Sequence, residues 1–335
     1  MNGRKKDHIE ISKNEDVAST YNYWDDIGFV HNALPEVDMD DIDLTWQEFG
    51  KTMQAPLIIA GMTGGFEEAT QVNRYLASLA QQFQIGMGVG SQRVALENGG
   101  AVDSYAVITE YDIPLTIANL GAPQLLEWAD AAERAAQAVD MIEADVLAIH
   151  LNFLQECIQI EGDRKARGVL DKIQEVAASL TTPVIVKETG AGISGEVARR
   201  LCQTDIVGID VGGMSGTSFA AIEAYRAQKT GETVQESLGY LFRDWGIPTP
   251  LSVMEVVEAC RDTGMTVIAT GGIRNGLDVA RALALGADAA GMAAVLLTND
   301  AEQALHTTIQ ALRTVMFLTG CRSLQDLREV DLWIG

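Results

Sequence analysis

From residue 56 onward the chain alternates two patterns. Short apolar runs fall at 57–61, 85–89, 115–119, 146–150, 184–187, 206–211, 266–270 and 289–293, eight in all. Each is followed within a few positions by Gly, Asn, Ser, Thr or another polar residue. Runs this short and this uniformly apolar are the signature of strands buried on both faces, as in a parallel sheet. Between them the apolar residues recur every three or four positions. That spacing predicts helices over 69–83, 123–142, 168–180, 194–201, 251–261 and 276–285, and a further one over 298–319. Eight strand–helix units in one domain-sized stretch predict a closed (β/α)8 barrel. An open Rossmann-like sheet is the alternative, but no GxGxxG follows the first run. The expected organisation is an N-terminal extension over 1–55 that contributes to the active site, a barrel over 56–320 and a C-terminal tail over 321–335. The extension itself reads as polar and irregular.

The 335 residues fit one such barrel with its extension. An apolar fraction of 47% with 21% charged residues suits a protein with a sizeable core. Glycine is abundant, at 32 residues, and proline scarce, at 7, which points to tight ligand-binding loops rather than disordered linkers. Against 24 Lys and Arg stand 47 Asp and Glu, a net charge of −23. So acidic a chain is expected to bind neither nucleic acid nor an anionic membrane non-specifically, while local donors can still hold a small anion. The four cysteines, Cys157, Cys202, Cys260 and Cys321, contain no CxxC pair. Their spacing suits neither zinc nor a disulfide framework, so a reducing, cytoplasmic location is expected. The opening MNGRKKDHIEISK has no apolar stretch, so no signal peptide is expected. No run approaches eighteen apolar residues, so no membrane span is expected either.

In a barrel of this kind the C-terminal ends of the strands converge on one mouth. The residues there read Gly61-Met62-Thr63-Gly64-Gly65, Gly90-Ser91-Gln92-Arg93, Asn119-Leu120-Gly121, His150-Leu151-Asn152, Lys187-Glu188-Thr189-Gly190, Asp210-Val211-Gly212-Gly213, Gly271-Gly272-Ile273-Arg274 and Gly291-Met292-Ala293-Ala294. Every loop offers small residues with donors or acceptors. Gly271-Gly272-Ile273-Arg274 leads into a helix, where backbone N–H groups and the helix start favour a phosphate. The simpler alternative is a tight turn with no ligand. Lys187 closes a run of β-branched residues, where a cation needs an anionic partner or forms a Schiff base. His150, Asn152, Gln155 and Glu156 crowd a single strand end. A carboxylate there can hold Mg2+ while substrate phosphates supply the other oxygens. A lone strand-end His is also commonly a satisfied core residue. Arg4, Lys5 and His8 form a positive cluster in an acidic chain, either a solvated tail or a clamp for a diphosphate.

Taken together these residues resemble the type 2 isopentenyl diphosphate isomerases, from Arg4 to about Leu318. The motifs that carry the likeness are Arg-Lys-x-x-His-Ile, Gly-Met-Thr-Gly-Gly, Gly-Ser-Gln-Arg, His-x-Asn-x-x-Gln-Glu, Gly-Thr-Ser upstream of Glu223, and Gly-Gly-Ile-Arg. The resemblance implies an FMN barrel. Gly61, Met62, Thr63, Ser91, Asn119 and Lys187 would hold the isoalloxazine and ribityl parts. Gly212, Thr217, Gly271, Gly272, Arg274, Ala293 and Ala294 would hold mainly the phosphate end. Arg4, Lys5, His8, Ser91, Gln92, Arg93, His150 and Asn152 would bind the substrate diphosphate. Gln155 would lie beside the isoprenoid carbons, Phe219 and Glu223 would close the site, and Glu156 would bind Mg2+. Gln155, Lys187 and His150 would be catalytic.

Four positions depart from the family pattern. Gly212 and Ser215 stand where Ser and Gly are usual, Phe219 where Trp is common, and Ile160 where Pro often precedes Glu-Gly-Asp-Arg. The implied reaction moves a double bond, converting isopentenyl to dimethylallyl diphosphate by acid–base chemistry of reduced FMN, with NAD(P)H as flavin reductant. A homo-oligomer, tetramer or octamer, is also implied. Two other readings compete. One is an FMN-dependent 2-hydroxy acid oxidase or dehydrogenase, which needs a His base at the flavin and arginines on a carboxylate. The other is a non-catalytic flavin-binding barrel.

Overall fold

A computed structural model describes residues 2–99 and 101–335, with side chains described except at 2–4 and 98. Eight parallel strands close into one barrel. They are β1 (Leu57–Ile59), β2 (Gly86–Gly88), β3 (Thr116–Gly121), β4 (Val146–Leu151), β5 (Val184–Glu188), β6 (Gly208–Asp210), β7 (Thr266–Ala269) and β8 (Ala289–Met292). Each lies within one residue or two of a predicted run. Ring closure is made by β8 on β1, where Ala290, Gly291 and Met292 stand opposite Leu57, Ile58 and Ile59.

Alternation along the strands sorts two apolar layers. Side chains such as Leu57, Ile59, Leu147, Ile149, Val186 and Ile209 point outward and pack under the surrounding helices. Ile58, Ile117, Val146, Ala148, Ile185 and Ile268 point inward. The floor of the barrel is sealed by an antiparallel hairpin, Trp46–Glu48 with Lys51–Met53, whose Trp46 and Met53 join that inner layer. Burying the inner layer makes the barrel a packed core rather than a pore, and only its upper rim is left for chemistry.

Three regions differ from the sequence-based expectation. The segment over 123–142 is two helices, Ala122–Glu127 and Ala131–Met141. Between them Trp128 is extended, with φ −93° and ψ 118°. Its ring is buried and stacks under the Arg134 guanidinium at 4.8 Å, so burial of one aromatic interrupts the helix. The extension is not irregular: it begins with the helix Asn2–Asn14, packed on the helix Phe219–Thr230. Only Ile11 of that first helix joins the small apolar cluster with Val17, Ala221 and Ile222, so its sequence carries no apolar stripe. The helices Phe219–Thr230 and Thr233–Leu241, between β6 and β7, were also absent from the periodicity. Further on, strand Ile27–Phe29 pairs antiparallel with Leu332–Ile334. In the acidic stretch over 36–43, Val37 and Ile42 are buried while the acidic side chains face solvent. Among the described residues no helix is long and apolar enough to cross a membrane.

Candidate active site

The strand register brings the polar residues of the mouth into one tier. His150 lies opposite Lys187, and Lys187 opposite Asp210. Above the inner apolar layer Lys187 and Asp210 border a recess of about 350 Å³ of open space, with Ala60, Gly61, Asn119 and Thr270 on its other walls. Asn119 donates from Nδ2 to the Val89 carbonyl at 3.0 Å, which leaves its Oδ1 as the acceptor facing His150 Nδ1 at 2.7 Å. The proton of that ring contact therefore sits on Nδ1. Lys187 Nζ donates to the Glu188 carbonyl at 2.8 Å and lies 3.6 Å from Asp210 Oδ2. Burial raises the Asp210 carboxyl above its ordinary range, opposed by Lys187 and by the Thr270 hydroxyl. Glu188 is turned out of the tier. Its Oε2 accepts from the N–H groups of Thr189, Gly190, Ala191 and Gly192, so one carboxylate shapes the loop after β5.

A second set of residues stands beside this tier. The helix Phe153–Ile158 begins at Asn152 and buries Gln155 and Glu156. Asn152 Nδ2 donates to Glu156 Oε1 at 3.0 Å, and the Asp163 N–H donates to Glu156 Oε2 at 2.7 Å. Gln155 Nε2 donates to Glu223 Oε1 at 3.2 Å, and His8 Nε2 meets the same oxygen at 2.8 Å. Phe219 packs edge-on against the His8 ring with centroids 6.0 Å apart. Arg226 holds the outer oxygen of Glu223 at 2.5 Å and reaches Glu161 at 2.9 Å. Burial pushes the Glu223 carboxyl up, but His8 and Arg226 outweigh it and hold the group below the usual range. Lys5 Nζ donates to the Ser91 carbonyl at 2.5 Å and to the Tyr105 hydroxyl at 2.6 Å. The first helix thus carries Lys5 and His8 to the mouth. The Arg4 side chain lies outside the described residues. Arg93 is engaged by Glu97 at 2.8 Å and by Glu127 at 3.7 Å.

The loop after β7 is held from both sides. Gly271 and Gly272 have φ of 105° and 76°. A Cβ at either would fall 2.2 Å from the Gly213 carbonyl oxygen or 2.3 Å from that of Ser215, so both positions require glycine. The Trp24 indole donates to the Gly271 carbonyl at 2.9 Å and the Asn22 amide to the Gly272 carbonyl at 2.8 Å. Arg274 is clasped by Asp25 and Asp278, with Nη1–Oδ2 at 2.9 Å and Nε–Oδ2 at 2.8 Å. Its guanidinium therefore locks the loop to the extension rather than standing open toward a ligand. Gly212 has φ of 50°, and a Cβ there would lie 2.1 Å from the Glu188 carbonyl oxygen, which accounts for the missing side chain at this departure from the family pattern. Ser215 turns its hydroxyl to the Met214 carbonyl at 2.6 Å. Thr217 bridges antiparallel to Ala18. Ala293 and Ala294 follow β8, the first half-buried and the second exposed.

Most of the expected residues therefore meet at one rim. Gln92 does not open onto it: it is fully buried, with Oε1 accepting from the Asn119 N–H at 2.9 Å and Nε2 donating to the Ala138 carbonyl at 2.8 Å. Its place is behind Asn119, as a support. The donor set suits a flavin. Thr63 Oγ1 in the loop after β1 and Asn152 Oδ1 are buried with no hydrogen-bond partner, and groups of this kind call for a polar ligand. Among the described residues no three His, Cys, Asp or Glu stand together as a metal cluster. Asn22, Trp24, Tyr105 and Arg226 also shape this rim and carry no local signal in the sequence, whereas Asp210 and Thr270 stand at the ends of apolar runs and are legible from that position.

Comparison with known proteins agrees with this geometry. The profile of the FMN-dependent dehydrogenase family matches residues 119–334. Isopentenyl-diphosphate delta-isomerase of Thermoplasma volcanium is 44% identical over 99% of this chain and 96% of its own length. The protein of the same name from Thermoplasma acidophilum is 46% identical over 97% and 94%. Among solved structures, mandelate oxidase with a bound hydroxy acid superposes with a TM-score of 0.64, covering 99% of this chain and 98% of the other at 17% identity, a likeness of fold alone. With relatives this similar over nearly its whole length, the chain belongs to the type 2, FMN-dependent family of isopentenyl-diphosphate delta-isomerases.

Proposed function

We propose that the protein interconverts isopentenyl and dimethylallyl diphosphate, using reduced FMN at the barrel mouth and Mg2+ brought in with the substrate. The observation that carries this reading is the convergence of Lys5, His8, His150, Asn152, Gln155, Glu156 and Glu223 beside Lys187 on one rim. A hydroxy acid oxidase would need arginines gripping a carboxylate there. Arg274 is instead clasped by Asp25 and Asp278.

Each residue has a task in this scheme. Gly61, Met62, Thr63, Ser91 and Asn119 would hold the ring and ribityl chain. The backbone of Gly271 and Gly272, with Gly212, Thr217, Ala293 and Ala294, would cradle the phosphate, and Arg274 would keep that loop in shape. When bound and reduced, FMN supplies an exchangeable proton and an electron-rich face for a developing tertiary cation. Lys187 would balance negative charge on the ring. Lys5, His8, His150 and Asn152, together with Arg4 and Arg93, would neutralise and orient the diphosphate, with Ser91 and Gln92 shaping that side. Glu156 keeps lone pairs beyond its two hydrogen bonds. One carboxylate plus substrate phosphates is an ordinary Mg2+ site. Gln155, aimed by Glu223, would orient or relay the proton at the carbon nearer the diphosphate. NAD(P)H would serve only to reduce the flavin, so its consumption would not scale with product.

We also infer self-association. An apolar groove of about 990 Å³ of open space runs past Phe153, Leu154, Cys157, Leu238, Phe242 and Trp245, directly behind the helix that carries Gln155. Leu241 and Trp245 there are 75% and 60% exposed, large apolar side chains that a second copy of the chain would cover.

The test is turnover of isopentenyl diphosphate with FMN, Mg2+ and NADPH, followed by proton NMR. Dimethylallyl diphosphate should accumulate to equilibrium. Gln155→Ala should bind FMN normally yet slow turnover by about 100-fold or more, the usual scale for a positioned acid–base group. A yellow, FMN-loaded protein with no turnover would overturn the isomerase reading. An unimpaired Gln155→Ala enzyme would remove Gln155 from the chemistry.

A further inference from the structure

Two of the four cysteines, far apart in sequence, meet at the end of the barrel opposite the mouth. Cys202 caps the helix Gly195–Leu201 and Cys260 ends the helix Thr249–Cys260. These helices pack against each other, and the Gly195 N–H ties them further by donating to Glu255 Oε2 at 2.8 Å. Their C-terminal ends precede β6 and β7, on the floor side. There the two Sγ atoms lie 3.3 Å apart across a separation of 58 residues. The Met265 Sδ stands 3.6 Å from Cys202 Sγ, so the surroundings are soft and apolar. Cys202 is half-buried, within reach of a small reagent, while Cys260 is buried behind it. Of the other two, Cys157 is exposed, and Cys321 is buried next to the Thr319 hydroxyl at 3.2 Å.

We propose that Cys202 and Cys260 constitute a dithiol–disulfide site, oxidised by exchange with a low-molecular-weight disulfide, that staples two neighbouring helices at the end of the barrel remote from catalysis. The sulfurs need close by little more than 1 Å to reach the bonded distance of about 2.05 Å. In the first step the Cys202 thiolate attacks one sulfur of the reagent disulfide and expels one reagent thiolate, leaving a mixed disulfide on Cys202. In the second step the Cys260 thiol loses its proton, attacks Cys202 Sγ and expels the second reagent thiolate. Two protein thiols have then given up two electrons and two protons, and the reagent disulfide has become two thiols. Excess reagent thiol reverses the sequence. Burial, reinforced by the neighbouring Cys202, pushes the Cys260 thiol up to about 12. The second step is therefore slow near neutrality and speeds as pH rises, since only the thiolate attacks.

The experiment uses the full chain in mixtures of oxidised and reduced glutathione at pH 8, quenched with acid, alkylated and mapped by mass spectrometry. The expected result is a peptide pair joined through Cys202 and Cys260, two hydrogens lighter than its reduced parts, appearing as the oxidised fraction rises. Cys321 should remain alkylated. The oxidised chain should melt roughly 5 °C above the reduced one, because closing a loop of this length constrains the unfolded chain. Cys202→Ser should yield no joined peptide and an alkylated Cys260. A final product with glutathione on Cys202 and an alkylated Cys260 at every mixture would overturn the proposal, and so would linkage that appears only in denaturant. Neither readout depends on isomerase activity, so the inference stands or falls apart from the proposed reaction.

Discussion

At the scale of single residues, the mouth is shaped by contacts the protein makes with itself, and a few residues carry much of that shape. Gly271 is one. Its φ of 105° is closed to side chains, and a Cβ would strike the Gly213 carbonyl oxygen. Gly271→Ala should lower stability by roughly 3 kcal/mol in urea unfolding, and wild-type stability in that variant would show the loop to be looser than described. Glu188 is another. Burial pushes its carboxyl up to about 7, against the pull of its backbone donors and of Lys187. Unfolded, the same group titrates near 4.5. Between those values the folded state binds the extra proton, so stability is fullest at acid pH and declines as pH rises through about 7. The decline attributable to this group is on the order of 3 kcal/mol. Comparing wild type with Glu188→Gln at pH 5 and pH 8 checks it: the Gln variant should gain on the wild type at the higher pH. An opposite trend would mean the four N–H donors keep the carboxylate ionised.

At the scale of elements, the extension and the loop after β7 act as one piece. Trp24 and Asn22 hold the carbonyls of Gly271 and Gly272, and Asp25 holds Arg274. Trp24→Phe keeps the aromatic packing and deletes one hydrogen bond, a change of about 1 kcal/mol. FMN affinity should weaken about five- to tenfold in a fluorescence titration, with the fold intact by circular dichroism. An unchanged affinity would uncouple the extension from the cofactor. The elements themselves divide by how legible they were. All eight strands could be read, because short two-sided apolar runs bounded by small residues have few other meanings. The first helix could not: it is held by Lys5, Lys6 and His8 reaching Ser91, Glu68 and Glu223, and contacts of 62 to 215 residues in separation leave no period in the sequence. The helices Phe219–Thr230 and Thr233–Leu241 leave no period for a related reason: they pack on each other and on the helix Phe153–Ile158, and the first also on the helix Asn2–Asn14, so their apolar positions do not form one stripe.

At the scale of the whole molecule, the site was legible as a set of loop ends and illegible as a set of contacts. Barrel topology alone puts Lys187, His150, Asn119 and Gly271 at one rim, so naming them required only the strand count. The direction of each side chain depends on partners brought by folding. That is why Gln92 proved to be a strut behind Asn119, why the Arg274 guanidinium turned to Asp25 and Asp278, and why Cys202 and Cys260 came together unannounced. Charge follows the same logic. A chain of net −23 gathers Lys5, His8, His150, Arg93 and Lys187 about one opening. The proposed diphosphate would find its donors at that one end, against the charge of the rest of the particle.

The hydrogen bond from Trp24 to Gly271 spans 247 positions of the chain. Closing a loop that long costs entropy, and the joining of the strands between its ends lowers that cost. During refolding, capture of the yellow prosthetic group should therefore lag behind collapse and secondary structure, and bound colour would time the closing of the circle rather than the birth of its parts.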